Sequence, residues 1–261
     1  MLKKFALLLL FSTVLACSSD DNATTAPGET QKVLLTKLTQ TVYYSSSENV
    51  SVTKFNYQGD KLVNISDEAS INRLEFVYEG DKVVRANQLN NTELLGYNTI
   101  SYDGNNLKTV QGSNAQKTEY SYTNGVLNSS TSSTFYDNTW TQVRKSEYTF
   151  TNNNATQIVQ RRNFSGEEAV YKSTYTFDSK NNPMRDMNPY LKLLLFEFEG
   201  FSPLNLNNTI SEKSFNGLDA LTPSEEYSYE IIYNGDNFPT QIIRKVTGST
   251  TPISKTVFEY N

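Results

Sequence analysis

The stretch FVYEGDKV, residues 76–83, contains the pattern that decides the fold. Two apolar residues, Phe76 and Tyr78, are separated by one residue, and a Gly-Asp turn then precedes an aliphatic residue. Clear copies are FNYQGDKL at 55–62, ISYDGNNL at 100–107 and YSYTNGVL at 120–127, and looser copies are YTFTNNNA at 148–155, YTFDSKNNP at 175–183, IIYNGDNFP at 231–239 and FEYN at 258–261. The second aromatic recurs every 20 to 28 residues, with one gap of 56. The chain is therefore an irregular repeat.

Each copy predicts a β-hairpin. Alternation of apolar and polar residues, as in TEYSYT at 118–123, is typical of a half-buried strand. The Gly-Asp, Gly-Asn and Asn-Gly pairs supply the positive φ angles that tight hairpin turns require. Apolar residues after the turn lie three apart, as Leu62 and Ile65 do, and this odd spacing predicts a β-bulge. Consecutive hairpins predict an all-β antiparallel meander of about fifteen strands, curled toward an open barrel.

The aromatic residues of the repeat are expected to be structural. They recur at the same point of every copy, on the face that the alternation assigns to burial, whereas a ligand site needs one special copy. We therefore expect each second aromatic, such as Tyr122, to be largely covered by its neighbours.

One segment departs from the repeat and accounts for the gap of 56. Asn188 at an N-cap position, a proline directly after it and the run YLKLLL predict one short helix within roughly residues 188–197. The phenylalanines at 196, 198 and 201 leave a degenerate strand open as an alternative for the end of this segment.

The composition excludes several kinds of site. The chain has no histidine, which excludes histidine-based triads, general bases and metal sites, and its single cysteine excludes an internal disulfide or a thiolate zinc cluster. No nucleophile motif, phosphate-binding loop or metal-ligand spacing occurs. We expect a protein that is not an enzyme, with no catalytic residues, metal or cofactor. The net charge of −5, without a basic patch, argues against nucleic acid as a partner.

The N-terminus has the features of an export signal. Two lysines precede the apolar run FALLLLF at 5–11, and small residues follow. The tetrapeptide VLAC at 14–17 resembles the bacterial lipobox, in which the cysteine receives a diacylglycerol after the signal is removed. We therefore expect lipidation at Cys17, which also explains a single unpaired thiol. An ordinary cleaved signal with a free thiol is the alternative.

Three segments follow from this interpretation: a lipoprotein signal peptide at 1–16, a disordered tether at 17–30 and a β-meander repeat domain at 31–261. The tether is polar and has no apolar period. Its pair Asp20-Asp21 resembles the surface-export signal of Bacteroidota lipoproteins, and a plain solvated linker is the alternative. We expect an exported protein that is anchored to the outer membrane through Cys17. Its exposure at the cell surface is expected only from the resemblance of Asp20-Asp21 to the surface-export signal.

The repeat unit itself resembles known families. It is similar to the YD repeats of RHS-type secreted proteins, with an aromatic-Asp core at 102–103 and 177–178. The lipobox, the Tyr-x-Tyr-x-Gly-x-x-Leu hairpins and the stretches at 177–183 and 188–194 together resemble a family of Bacteroidota lipoproteins of unknown function with a porin-like fold. The resemblance to this lipoprotein family covers most of residues 31–261. It implies a large soluble meander curled toward a barrel, and it brings no established activity or site.

The polar faces of the strands argue against a true porin. The residues that alternate with the aromatics include Glu119, Ser121 and Thr123, whereas a barrel that faces lipid needs an apolar outer surface. The membrane is therefore expected as a partner only through the lipid on Cys17.

Two functions from different classes remain open. Tyr136 and Trp140 flank the hairpin tip at 137–138, and exposed aromatic rings stack on sugar faces, so these two residues are the candidate ligand contacts. The alternative is that both rings complete the aromatic face of the sheet. We expect a binding or accessory module for a glycan, peptide or protein. The alternative function is a structural envelope scaffold without a small-molecule ligand.

Overall fold

A computed structural model describes residues 32–164, 166–196 and 203–261, in which sixteen strands and one helix are formed. The strands are β1 (Leu35–Tyr43), β2 (Glu48–Gln58), β3 (Lys61–Asp67), β4 (Asn72–Glu79), β5 (Lys82–Asn90), β6 (Glu93–Asp103), β7 (Asn106–Gly112), β8 (Gln116–Thr123), β9 (Val126–Tyr136), β10 (Thr139–Thr151), β11 (Asn154–Phe164), β12 (Glu167–Phe177), β13 (Thr209–Asn216), β14 (Glu225–Tyr233), β15 (Pro239–Val246) and β16 (Pro252–Tyr260). The helix α1 is Pro189–Leu195. The predicted signal peptide, the tether and Cys17 lie outside the described residues.

Each strand pairs antiparallel with its neighbours in the sequence, and β16 pairs with β1, so the sheet closes into a barrel. Leu38 of β1 lies opposite Phe258 of β16 in the closing pair. The predicted all-β antiparallel meander with one short helix is confirmed. The barrel is closed rather than open, and it has sixteen strands where the sequence suggested about fifteen. Closure satisfies the backbone hydrogen-bonding groups that β1 and β16 would otherwise leave exposed as sheet edges.

A β-bulge follows the turn of the repeat, as the apolar spacing predicted. Tyr57 lies opposite Leu62 and Asn56 opposite Asn64, so Val63 is the extra residue. This bulge brings Leu62 and Ile65 to the same face, and both are buried. Equivalent register shifts occur at the second aromatic of six further copies, at Tyr78, Tyr102, Tyr122, Phe150, Phe177 and Tyr233.

The aromatic face of the sheet lines the inside of the barrel. The buried apolar cluster combines strand residues from around the ring with residues of the β12–β13 connection; it includes Leu38, Phe55, Phe76, Ile100, Leu127, Tyr148, Ile158, Met184, Leu191 and Phe258. A cluster with members on so many strands of a closed ring lies in its lumen. The second aromatics are half-buried against this cluster. The position two residues earlier, as at Phe55 and Phe76, is the fully buried one.

The outer face of the barrel carries charged side chains. Strand alternation directs the residues between the inward aromatics to the outside. These residues form ion pairs along or between strands: Lys37 with Glu259, Arg73 with Glu75, Lys145 with Glu147, Lys213 with Glu226 and Lys245 with Glu230. The polar outer face predicted from the sequence is therefore present on strands on several sides of the ring.

The connection between β12 and β13, residues 178–208, holds α1 and closes one end of the lumen; we call its described residues the plug. Asn188 caps α1, because its Oδ1 accepts the N–H of Tyr190 at 2.9 Å, and its Nδ2 donates to the carbonyl of Asp81 at 2.9 Å. The leucines at 191, 193, 194 and 195 are buried. The predicted helix is confirmed, whereas Phe198 and Phe201 lie outside the described residues.

Polar contacts fix the plug to the barrel wall. The carboxylate of Asp178 accepts the hydroxyl of Tyr233 in β14, and within the plug it accepts the backbone N–H of Asn208 at 3.1 Å. Asp186 accepts the backbone N–H of Val33 at 3.0 Å. Although burial alone would raise it, the pKa of the Asp186 carboxyl is held below its usual value by the neighbouring Arg185 guanidinium and by the Val33 N–H. Among the described residues, no helix is long and apolar enough to cross a membrane.

Candidate functional site

A polar cavity of about 470 Å³ lies in the lumen between the plug and the barrel wall. Its wall comes from β10 to β16 and from β1, and the plug contributes Asn182, Phe196 and Asn205. Much of the wall is polar, with Gln40, Arg144, Gln160, Glu212, Arg244, Ser254 and Thr256. A second cavity of about 140 Å³ lies between α1 and the strands from β4 to β8. The larger cavity joins charged side chains to a volume within the range of small-ligand sites, about 300 to 1,000 Å³.

Strand alternation directs the charged residues into this cavity. In β15, Ile242 lies opposite Ile231 and Arg244 opposite Tyr229, and all four side chains share the inward face. Ile243, between the two β15 residues, faces outward. On these two strands the inward face therefore changes from a pair of isoleucines to the Arg244–Tyr229 pair.

Arg244 is held in place by aromatic rings and a carboxylate. Its guanidinium lies 3.7 Å from the centre of the Tyr227 ring, and its Nη2 donates to Oε2 of Glu212 at 3.3 Å. The same Oε2 accepts the hydroxyl of Tyr229 at 2.7 Å. The Nε of Arg244 is buried, and no residue in the described part of the chain accepts a hydrogen bond from it. Such a donor is costly unless an acceptor from outside the chain satisfies it.

Two tyrosines of the cavity wall keep their protons at ordinary pH. Burial raises the pKa of Tyr175 to about 12. Burial and the adjacent Glu212 also raise the pKa of Tyr229 far above its usual value. Both phenols are therefore neutral hydroxyls, with a ring face and a hydrogen-bonding group available on the same wall.

Two further arginines lie on β10 and β11, on the other side of β12 from Arg244. Arg144 of β10 and Arg162 of β11 are direct cross-strand partners, an arrangement that is unfavourable for like charges. Arg162 donates from Nη2 to Oε1 of Gln160 at 2.9 Å, and its guanidinium lies 5.4 Å from the Tyr171 ring centre. Its Nε is buried, and none of the described residues accepts a hydrogen bond from it. Arg144 donates to the Ser132 hydroxyl at 3.4 Å and lines the cavity.

The cavity wall carries charges of both signs. Among the described residues, the charged side chains that line it are those of Arg144, Arg244 and Glu212. In the same part of the chain, no group of three His, Cys, Asp or Glu side chains is arranged to hold a metal ion. The arrangement suits hydrogen bonding and ion pairing with a polar small molecule.

The two candidate ligand contacts predicted from the sequence are not brought together. Tyr136 is 80% exposed at the tip of the β9–β10 hairpin and pairs with Thr139. Trp140 pairs with Phe135, so its side chain lies on the opposite face of the hairpin from Tyr136. The Trp140 ring packs on Phe135 at 5.2 Å, and the Lys117 ammonium lies 4.8 Å from the Trp140 ring centre. Both rings lie away from the residues that line the larger cavity.

The lumen residues were missed by the sequence analysis, although a local signal exists. Arg144, Ser146 and Tyr148 are alternate residues of one strand, so their side chains share a face, and the same holds for Arg244 and Ile242. A charged residue on the face that alternation assigns to burial is a candidate binding residue. The sequence does not show that β10 and β15 share a cavity, because that proximity follows from barrel closure.

Comparisons with known proteins place the fold among porin-like barrels. No family model matches the chain, and no curated protein matches its sequence. A crystal structure of a porin-like protein from Bacteroides uniformis is similar over 87% of this chain and 98% of that one, with a TM-score of 0.50 and 11% identity. The crystal structure of TcdB2-TccC3 aligns with 79% of this chain and 10% of that one, with a TM-score of 0.34 and 13% identity. The expected likeness to a porin-like fold is confirmed at the level of the fold.

Proposed function

We propose that the protein is an exported, lipid-anchored binding protein of the outer membrane, which holds a small polar ligand inside its barrel. The observation that carries the proposal is the cavity of about 470 Å³ lined by Arg144, Arg244 and Glu212. Buried charges without a function are costly, and clusters of them in a cavity are typical of binding sites.

The proposed location is supported by features of the sequence and the fold. The lipobox-like VLAC at 14–17 supports export and lipidation at Cys17. The porin-like fold neighbour is consistent with a protein of the outer membrane. The ion pairs on the outer face support a barrel attached by lipid rather than embedded in it, since a lipid-facing strand carries an apolar band.

The anchor is tested by the substitution Cys17→Ser. Metabolic labelling with a fatty-acid probe is expected to label the unchanged chain and to leave the variant unlabelled, because the thiol is the acceptor of the lipid. Label that persists on the variant would show that Cys17 is not the lipidation site.

The lumen site is tested by filling it. Ser254 lines the cavity, and the next residue of the strand, Lys255, faces outward. We expect native mass spectrometry of protein purified from its own cells to show a bound small molecule in the unchanged chain and in Lys255→Trp, and none in Ser254→Trp. Equal occupancy of both variants would place the ligand outside the lumen.

A second candidate function is a structural scaffold of the envelope, the alternative from the sequence. Apolar side chains are exposed near several hairpin tips at the end of the barrel opposite the plug, including Tyr44, Ile71, Tyr136 and Leu221. Exposed apolar groups of this kind favour contact with another macromolecule. Loss of a protein partner on Leu221→Ser, with lumen binding unchanged, would favour this candidate.

A further inference from the structure

We infer that the hairpin tips at the end of the barrel opposite the plug form a docking surface for a basic protein that has exposed apolar side chains. The meander places every second connection at this end. We call the surface the rim; it consists of the strand residues next to these connections and of the connections themselves, 44–47, 68–71, 91–92, 113–115, 137–138, 166, 217–224 and 247–251. The inference goes beyond the lumen site, and it gives the partner of the scaffold candidate a chemical class.

Carboxylates dominate the charge of the rim. Neither its connections nor the strand residues directly beside them include a lysine or an arginine. The acidic residues at the same positions are all exposed; they are Glu48, Asp67, Glu68, Glu93, Asp137, Glu167, Asp219 and Glu225. Within the described part of the chain, Glu68 is the one of these that forms an ion pair, with Lys54 at 2.7 Å.

The basic side chains close to the rim are already engaged. One residue further along the strands, three of them pair with carboxylates: Arg73 with Glu75, Lys117 with Glu119 and Lys245 with Glu230. Lys172 donates to the backbone carbonyl of Leu218 at 2.7 Å. At the plug end, in contrast, two turn aspartates are paired, Asp60 with Lys32 and Asp81 with Lys61. The rim therefore presents negative charge that a basic partner would complement.

The rim also carries the most exposed apolar side chains. In the described part of the chain, the five most exposed large apolar residues all lie within three residues of its connections: Tyr44, Ile71, Leu95, Tyr136 and Leu221. Leu221 is 96% exposed, so it has almost no contact with the barrel. Apolar groups that are gathered at one surface in this way mark an interaction site.

The end of the ring has the size of a protein interface. Sixteen strands about 4.8 Å apart and tilted by about 40° give a circumference of about 100 Å, and a ring of this size encloses about 800 Å². A specific interface typically buries about 800 Å² on each partner. An anionic lipid surface or the rim of a second copy would bring like charge to the carboxylates, so a basic protein fits the rim better than either does.

The test is fluorescence anisotropy of labelled helical peptides of equal length, titrated with the full chain. The first peptide has lysines on one face and leucines on the other, the second has glutamates in place of the lysines, and the third has glutamines in place of the leucines. We expect the lysine–leucine peptide to bind more tightly than the other two, with an affinity that falls as salt is added. Equal binding of the three peptides, or none, would overturn the inference.

Matched variants assign the binding to one end of the barrel. Two triple variants remove equal charge from exposed acids: Glu48→Gln, Asp137→Asn and Asp219→Asn at the rim, and Glu79→Gln, Asp103→Asn and Asp236→Asn at the plug end. We expect the rim variant to weaken binding of the lysine–leucine peptide by about tenfold and the plug-end variant to leave it unchanged. The same loss in both variants would show attraction to the net charge of the chain rather than docking at the rim.

Photo-crosslinking in intact cells identifies the class of the natural partner. A photoreactive amino acid replaces Leu221 at the rim, and in a control it replaces Ile232, which is exposed near the plug end. We expect position 221 to be linked to another protein, at a segment that contains lysine or arginine together with apolar residues. Links to lipid, to a second copy of this chain or to an acidic segment, the same links from position 232, or no link would overturn the inference. The lumen takes no part in these tests, so the comparison of Ser254→Trp with Lys255→Trp decides the proposed function independently.

Discussion

At the scale of the residue, the tyrosine of the repeat ties neighbouring hairpins together. Its hydroxyl donates to the backbone carbonyl just past the turn of an adjacent hairpin in three copies: Tyr78 to Leu62 at 2.7 Å, Tyr102 to Val83 at 2.9 Å and Tyr260 to Pro239 at 2.7 Å. Two lysines bond in the opposite direction, Lys61 to the carbonyl of Gly80 at 2.8 Å and Lys82 to that of Gly104 at 2.5 Å. The repeated residues are therefore explained by contacts within the barrel.

Truncation of a repeat tyrosine is expected to destabilise the protein more than truncation of the hairpin tryptophan. Tyr122 packs against the buried cluster, so we expect Tyr122→Ala to lower the free energy of unfolding by about 3 kcal/mol, the low end for buried aromatics because it is half-buried. Trp140→Ala loses its contacts with Phe135 and Lys117, worth about 1 kcal/mol. Denaturant unfolding of both variants measures the difference. A larger loss of stability in Trp140→Ala than in Tyr122→Ala would show that the face assigned to the inside of the barrel lies on the outside.

At the scale of the element, the plug depends on a helix of seven residues that its own sequence barely stabilises. Isolated helices this short do not persist in water, so tertiary contacts must hold α1. Asn188 supplies two of them, the N-cap and the hydrogen bond to Asp81. The edge-to-face contact of Tyr190 with Tyr102, at 5.2 Å, supplies a third.

Removal of the cap is expected to loosen the plug. Asn188→Ala loses the N-cap and the contact with the β4–β5 turn, and we expect a loss of stability of about 1 to 2 kcal/mol. Hydrogen exchange is expected to accelerate at the N–H groups of α1 before those of the barrel strands. Asn87→Ala, on the outer face of β5, is the control. Uniform acceleration across the barrel would contradict a plug that opens separately from the sheet.

At the scale of the whole molecule, the buried tyrosines predict alkaline unfolding. Burial raises the pKa of Tyr78, Tyr122 and Tyr175 to about 12 each, while an unfolded tyrosine titrates near about 10. A raised pKa in the folded state means that the folded chain binds more protons than the unfolded chain between these values. The stability contributed by the neutral phenols is therefore complete below pH of about 10 and is lost as the pH rises to about 12.

The measurement is a pH titration of stability together with phenolate absorbance. We expect the free energy of unfolding to be steady up to pH of about 10 and then to fall, with most phenols ionising as the barrel unfolds. Ionisation of all tyrosines near their usual pKa in a chain that stays folded would contradict their burial.

The repeat made the hairpins predictable, because the alternation and turn residues of a copy such as 120–127 are local signals. The bulge was predictable for the same reason, from the spacing of Leu62 and Ile65. Closure of the barrel was not predictable from the sequence, because the pairing of Leu38 with Phe258 joins residues from the two ends of the domain and has no local signature. The lumen cavity also depends on closure, so no local pattern shows it, whereas Tyr136 and Trp140 could be identified as candidate ligand contacts from the local sequence of one hairpin tip.

The most direct test of the central claim compares the reaction rates of a thiol at position 254 with a small and with a bulky thiosulfonate reagent. In a Cys17→Ser chain, Ser254→Cys places the single thiol in the cavity, and Lys255→Cys places it on the outer face. We expect the cysteine at 254 to react with the small reagent and much more slowly with the bulky one, because the cavity of about 470 Å³ has room only for small molecules. The cysteine at 255 is expected to react with both reagents. An unreactive thiol at 254, or the same ratio of rates at both positions, would contradict a lumen that admits and holds small molecules.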